Sequence, residues 1–433
     1  MKNQYGSIVI EGNNFDISRF DFQSVEHLEK QFGSPLYILH VEKLRKNYRK
    51  MERAFKSRYE NFIIGYSYKT NYIPYLCKEL NQLGAYAEVV SRLEYDLALK
   101  LGVHPERIIF NGPVKTYGDY EQVFQNKSII NIDSLYEIGF IEEYCKKHDD
   151  EIVKVGIRVN FPLQDEESEN VLQEGYSISR FGICLENGQF EEAMKRLNAI
   201  NNVQLVGFHG HFSTKDRAVK HYEKITKKLC ELAKTYIHYG LEYIDVGGGI
   251  FGEMHPAFNI KTPTIDDYAE AICNVMNKEF ANCTVKPKLI LEPGISMVAN
   301  TVLFLTKVIE VKKVQDQYFV VTNGSVHNIK PTMHKTRLPM KIIQRSLENE
   351  KETFHIVGYT CMEKDYIASN VLEILPKVGD YILFENVGAY TIVFNPPFIQ
   401  TRPGIVAYHD SKWKLVRKQE KFEQFFNEQL YLF

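Results

Sequence analysis

The chain has one tryptophan, no Cys-x-x-Cys pair, no apolar run long enough to span a bilayer and no surplus of either charge. Each shortage excludes something. The cysteines, at 77, 145, 184, 230, 273, 283 and 361, are odd in number and scattered. That argues against a disulfide framework or a zinc site, and for reduced thiols in a cytoplasmic protein with no metal. With 53 basic against 55 acidic residues the formal net charge is -2. That excludes a strongly basic nucleic-acid binder and gives no electrostatic reason for a membrane partner. Met1 to Phe20 mixes polar and charged residues with single apolar ones, so no secretory h-region is expected there. What is present is an ordinary globular composition, 44% hydrophobic and 25% charged, over 433 residues, a length that accommodates two domains.

From about residue 60 to 292 the pattern alternates apolar strand and amphipathic helix. Strands are expected near Phe62–Tyr68, Tyr86–Val90, Ile108–Gly112, Ile129–Asp133, Val153–Asn160, Gln204–Phe212, Tyr243–Val246 and Lys288–Glu292. Ser91-x-x-Glu94, Ser134-x-x-Glu137 and Thr264-x-x-Asp267 read as capping boxes that open helices. Gly102 closes the first, and Gly240 closes a helix expected over Val219–Tyr239. The order predicts an α/β fold with a (β/α)8 barrel, a doubly wound sheet being the alternative. Beyond Glu292, the segments Leu303–Val314, Tyr318–Thr322, Tyr381–Glu385 and Thr391–Phe394 read as strands, as does Pro35–His40 before the barrel. The expected division is a barrel over 41–292 and a mostly β domain built from 1–40 and 293–433. Gln419–Phe433 reads as a docked helix or a frayed tail.

The strand ends collect unusual residues. Lys69 follows the first, within Tyr66-Ser67-Tyr68-Lys69-Thr70-Asn71; His209-Gly210-His211-Phe212-Ser213-Thr214 follows the sixth. Gly247-Gly248-Gly249 follows the seventh and Glu292-Pro293-Gly294 the eighth. A barrel keeps its chemistry at the C-terminal ends of its strands, and a lysine there can bind an aldehyde cofactor. A strand-end lysine is otherwise a solvated charge. Three glycines let backbone N–H groups approach a phosphate, although a plain turn has the same composition. His209 and His211 share a face, as a ring-stacking side chain or as core residues. Glu292 sits at the end of an apolar run, where an unpaired carboxylate is costly and a protonated pyridine nitrogen would match it. Cys361-Met362-Glu363-Lys364-Asp365 reads as a loop, and Gly388-Ala389-Tyr390-Thr391 as a hairpin end.

Together these residues resemble the fold-type III pyridoxal-phosphate decarboxylases, the family of diaminopimelate and ornithine decarboxylases, from about Pro35 to Pro403. The resemblance implies pyridoxal 5'-phosphate bound to Lys69, with His211 stacked on its ring and Glu292 on its pyridine nitrogen. It implies Thr214, Gly247, Gly248, Gly249, Gly294 and Tyr390 around the cofactor. It makes Cys361 the proton donor to the substrate carbon, and it implies a homodimer in which Cys361 and Asp365 come from the second subunit.

The departures fall on the substrate side. The family's Glu-Pro-Gly-Arg ends here in Ile295; its Arg-Pro-x-x-Tyr reads Lys330-Pro331-Thr332-Met333-His334. The acid after the cysteine is Met362, and Glu363 points elsewhere. Breaking a buried charge pair costs roughly 3–5 kcal/mol. The expected substrate is therefore an amino acid whose far end carries no free ammonium, such as a glutamyl group on an acyl-carrier protein or a citryl-linked amino acid in siderophore or antibiotic assembly. The alternatives are a diaminopimelate decarboxylase with an altered pocket, a racemase on the same barrel, and a catalytically silent regulatory homologue. Cys361-x-x-x-Asp365 fits the decarboxylases better than the racemases, and a regulator has no need of Lys69, Glu292 and Cys361.

Overall fold

The computed structural model describes residues 20–164, 171–236, 240–284, 286–346 and 350–432. The expectation for Met1 to Phe20 falls outside it except at Phe20, as do 237–239 at the end of the expected Val219–Tyr239 helix. Among the described residues no helix is long and apolar enough to cross a membrane.

The chain divides into two compact units. One comprises Arg45–Glu253 and Lys261–Met297; the other comprises the described residues up to Leu44, Met254–Ile260 and Val298 onward. The second unit thus takes in a short stretch from between two barrel strands, which no composition shift marked.

The first unit is a closed parallel barrel, in place of a doubly wound sheet. Numbering strands along the chain, β1 (Leu36–His40) belongs to the other unit, and the barrel uses β2 (Phe62–Ser67), β3 (Tyr86–Val89), β4 (Ile108–Phe110), β5 (Ile129–Ile132), β6 (Val153–Asn160), β8 (Val203–His209), β9 (Tyr243–Asp245) and β10 (Lys288–Leu291). The ring closes where β10 pairs with β2 and β5 with β6; the two-residue β7 (Ile183–Cys184) lies beside β6. Every pairing in it is parallel, as crossover helices require. Thr264 and Asp267 form the full capping box. Ser91 accepts from the Glu94 amide while the Glu94 carboxylate reaches back to Val90 N, one residue short of the box. The Ser134 box does not form: the helix starts at Tyr136, and Glu137 accepts from both Asp133 N and Ser134 N.

The second unit holds one mixed sheet in the order β15-β14-β12-β11-β1-β17-β18, with β16 pairing to β11 and β13. Its strands are β1, β11 (Val302–Val314), β12 (Gln317–Thr322), β13 (Met340–Ile343), β14 (Lys351–Val357), β15 (Tyr366–Ile374), β16 (Tyr381–Phe384), β17 (Gly404–His409) and β18 (Lys412–Arg417). β1 lies antiparallel to β11 and parallel to β17, so both ends of the chain build this sheet. Leu36, Ile38, Leu303, Leu305, Leu383 and Val406 fill its core with Trp413 and Tyr408. The expected strand at Thr391–Phe394 is a single 3-10 turn over Ile392–Phe394. Its apolar run is too short to pair, and Thr391 is tied to Ala389 O through its own hydroxyl. Gln419–Phe433 contributes one short helix, Phe422–Phe425, in its described part.

Candidate active site

In the barrel, Lys69 lies in a 3-10 turn, Tyr68–Thr70, directly after β2. Its ammonium is 3.0 and 3.2 Å from the two oxygens of Glu88, a fully buried carboxylate on β3. Asn111, just past β4, donates from Nδ2 to Glu88 Oε1 at 3.2 Å and to Glu292 Oε1 at 2.5 Å. Glu292, just past β10, lies with Oε2 3.3 Å from His209 Nε2. Burial alone would raise the Glu292 carboxyl, but the charges of His209 and Lys69 and the proton of Asp245 outweigh it, and it stays well below the usual carboxylate range. Asp245, at the end of β9, is pushed well above that range by burial and by Glu292. The two neighbouring carboxyls are thus pulled apart, Asp245 toward its protonated form and Glu292 toward the anion.

His211 follows β8. Its Nδ1 accepts the amide proton of Gly248 at 2.9 Å, so a neutral ring carries its hydrogen on Nε2. Burial and then the Arg158 charge hold it well below the ordinary histidine range, so it is neutral. Arg158 itself donates to His211 O at 3.1 Å and lies 3.5 Å from Asp133. The glycine run is fixed sterically: a Cβ on Gly248 would sit 2.0 Å from Glu292 O, and Gly247 and Gly249 have φ of +68° and +93°. Gly294 is equally tight, 2.1 Å from Thr70 Oγ1 for a Cβ. The buried Thr214 hydroxyl has no partner among the described residues.

A supporting ion pair lies just behind. Lys115 and Glu137 are both fully buried and 2.7 Å apart. Tyr120 donates to the same Glu137 oxygen, while Lys115 also donates to Gly112 O. The other Glu137 oxygen takes the amides of Asp133 and Ser134, which sets the backbone from which Asp133 meets Arg158.

Glu94 gives a testable pH effect. Burial raises its carboxyl from 4.5 to about 7, against its bond from Val90 N and with repulsion from Glu88 added. A carboxyl that holds its proton more tightly folded than unfolded lowers stability as pH rises from about 4.5 through about 7. The loss is on the order of 3 kcal/mol. Glu94→Gln, which keeps the acceptor for Val90 N, should flatten the curve of Tm against pH over that interval. An unchanged slope would show that another group causes it.

The remaining expected residues lie in the other unit. Cys361 is exposed and Asp365 is buried. Both oxygens of Asp365 are occupied by protein donors. Val326 N and Ser325 Oγ donate to Oδ1, and Thr360 N and Oγ1 donate to Oδ2. Its carboxylate pins the cysteine loop to the start of the short helix Val326–Ile329. Met362 Sδ lies 3.3 Å from His327 Nε2, and the His327 ring is edge-on to Phe398. Lys330 is buried, its ammonium has no acceptor among the described residues, and burial lowers its pKa. His334 is exposed, Ile295 half-buried in the barrel unit. Tyr390 has φ +54° and stacks with Phe394.

Glu88, Asn111, Asp245 and Arg158 had drawn no attention as site residues. For Glu88, Asn111 and Asp245 the one signal is a single polar residue inside or at the end of a short apolar strand; Arg158 shares its strand with Lys154 and Asn160 and has none. The donor set fits pyridoxal phosphate: an amine at a strand end, an anion for a ring nitrogen, a neutral imidazole, and a glycine turn beside an unpartnered hydroxyl.

The model of the pyridoxal-binding domain of pyridoxal-dependent decarboxylases matches residues 41–299. Diaminopimelate decarboxylase of Methanocaldococcus jannaschii is 30% identical over 96% of this chain and 95% of its own, and that of Aquifex aeolicus is 27% identical over 92% of each. The crystal structure of the M. jannaschii enzyme in co-complex with L-lysine matches with a TM-score of 0.83 and 27% identity over 94% of each chain. The chain belongs to the fold-type III pyridoxal-phosphate decarboxylases, in the branch of the diaminopimelate and ornithine enzymes, and pyridoxal phosphate is its cofactor.

Proposed function

We propose that this amino-acid decarboxylase acts on a diamino dicarboxylic acid of the diaminopimelate kind. The observation that carries the reading is likeness over more than nine-tenths of the chain to enzymes of that name. Reading the residues alone put a substrate without a distal ammonium first; the comparisons favour the reverse order. Lys330 supports the change. It stands where the family resemblance places an arginine, and its ammonium, with no acceptor among the described residues, is suited to a distal carboxylate.

On this reading Lys69 would hold the cofactor, and Glu88 would hold the Lys69 ammonium whenever that amine is free. Glu292 remains anionic and keeps a proton on the ring nitrogen. His211 would lie along the ring, and Thr214 with Gly247, Gly248 and Gly249 would take the phosphate. The cofactor supplies the sink for the electrons released as carbon dioxide leaves. Cys361, from a second copy of the chain, returns a proton to the substrate carbon. The expected assembly is a homodimer.

Met362 favours a second reading. A thioether against His327 stands where relatives place an acid, so a distal ammonium loses its partner. A glutamyl thioester on a carrier protein, or a citryl amide, has no such charge to satisfy. Comparing kcat/KM decides between them. Meso-diaminopimelate is expected to exceed a glutamyl thioester and a citryl amide by about tenfold or more. Faster turnover of either neutral-ended substrate would overturn the first reading, and Met362→Glu should then raise turnover of the diamino acids.

A further inference from the structure

A chain of buried hydrogen bonds crosses the barrel interior to Glu292, and none of the roles given to the site accounts for it. Tyr243 OH, on β9, donates to Asn131 Oδ1 on β5 at 2.7 Å. Asn131 Nδ2 donates to Asn111 Oδ1 at 2.8 Å, and Asn111 Nδ2 donates to Glu292 and Glu88. All five side chains are at most 4% exposed. A barrel interior is ordinarily filled by branched apolar residues, and buried amides are costly unless matched. Here the backbone makes room for them. A Cβ on Gly156 would lie 2.0 Å from Tyr243 OH and 2.2 Å from Asn131 Oδ1, and one on Gly207 would lie 2.3 Å from the Tyr243 ring. Glycine inside a strand marks such a close approach.

The chain has only one possible direction. Glu88 is paired with the Lys69 ammonium and accepts, so Asn111 must turn its NH2 toward the two carboxylates. That leaves Asn111 Oδ1 facing Asn131, which must present its own NH2. Asn131 Oδ1 then faces Tyr243, which must donate. Every dipole ends with its positive side on Glu292 and Glu88, and no single amide can flip without setting like against like.

We propose that Asn111, Asn131 and Tyr243 are positioning residues for the decarboxylation: a one-way donor chain that holds Glu292 in place as the anion facing the pyridine nitrogen. The proposal rests on the assignment of Glu292 to that nitrogen. It makes the barrel core, as well as the strand ends, part of the apparatus that sets the strength of the electron sink.

The test compares Asn111→Leu, Tyr243→Phe and Glu292→Gln with each core change made in the Glu292→Gln background. It reads kcat, KM, the dissociation constant of pyridoxal phosphate from apoprotein, and Tm. Asn111→Leu should lower kcat about tenfold and Tyr243→Phe about threefold, KM moving less than about twofold, with cofactor affinity weakening in the same order. Both effects should shrink in the Glu292→Gln background, that of Tyr243→Phe to nothing and that of Asn111→Leu to the part carried by its bond to Glu88. Where Glu292→Gln is too slow to time, cofactor affinity carries the comparison. If Asn111→Leu does not fold, Tyr243→Phe, which removes a single oxygen, keeps the test. A lower Tm with unchanged kcat and cofactor affinity would overturn the proposal, since the chain would then be structural. So would equal losses in both backgrounds. Glu292→Gln with wild-type kcat and affinity would instead show that the assignment of Glu292 is wrong, and the proposal would fall with it.

Discussion

Lys69→Ala protein is expected to lose at least about 1000-fold in kcat, because the group that carries the cofactor is gone. Borohydride reduction of the wild-type protein should fix pyridoxal phosphate on Lys69, and no label should appear on the variant. One complication follows from Glu88: without the ammonium at 3.0 Å a buried carboxylate loses its cation and keeps only the Asn111 donor, which destabilises the fold. Lys69→Arg separates the effects. It restores a cation beside Glu88 but cannot bind the aldehyde, so it should be well folded and equally inactive. Peptide mapping that placed the reduced cofactor on another lysine, or appreciable turnover by Lys69→Arg, would refute the assignment.

Mixing two dead proteins should restore activity. If Cys361 reaches the reacting carbon from a second chain, Lys69→Ala and Cys361→Ala each spoil both sites of their own homodimer. A mixed dimer would combine native Lys69 and native Cys361 in one of its two sites. Random exchange of equal amounts would then recover up to about a quarter of wild-type activity. Asp365 lends this physical support, since its four donors hold the cysteine loop in a defined shape. Exchange demonstrated by a mass-tagged subunit, with no recovered activity, would place Cys361 in its own chain's site or outside catalysis.

The barrel was legible because its strands are short apolar runs separated by capped helices, a period that local chemistry imposes. Lys69, His211, the glycine run and Glu292 were legible because each ends such a run. Glu88, Asn111 and Asp245 were not, since a lone polar residue in an apolar strand gains meaning only when closure of the ring brings it against others. Asn111 meets Glu292 across 181 positions of sequence. In the other unit β13, β14, β15, β17 and β18 went unmarked: β14 and β15 carry charged residues on exposed positions, and β18 alternates lysine with apolar residues. Thr391–Phe394 failed in the opposite direction, since a β-prone composition could not make a strand without a neighbour to pair with. The four donors that hold Asp365 were equally illegible, since Val326 lies 39 positions away from it in sequence.

The enclosed pair of Lys115 and Glu137 constrains how this sequence can drift. Loss of either partner alone strands a charge in the protein interior, a cost of about 3–5 kcal/mol, comparable to the whole stability of a marginal domain. Replacement of both by apolar residues of similar volume can be neutral or better. Each single step is therefore a valley and the double change a shallower one, which still leaves the Asp133 and Ser134 amides without their acceptor, so the two codons are expected to change together or not at all. The same coupling extends to Tyr120, whose hydroxyl would lose its acceptor in any descendant that made the exchange.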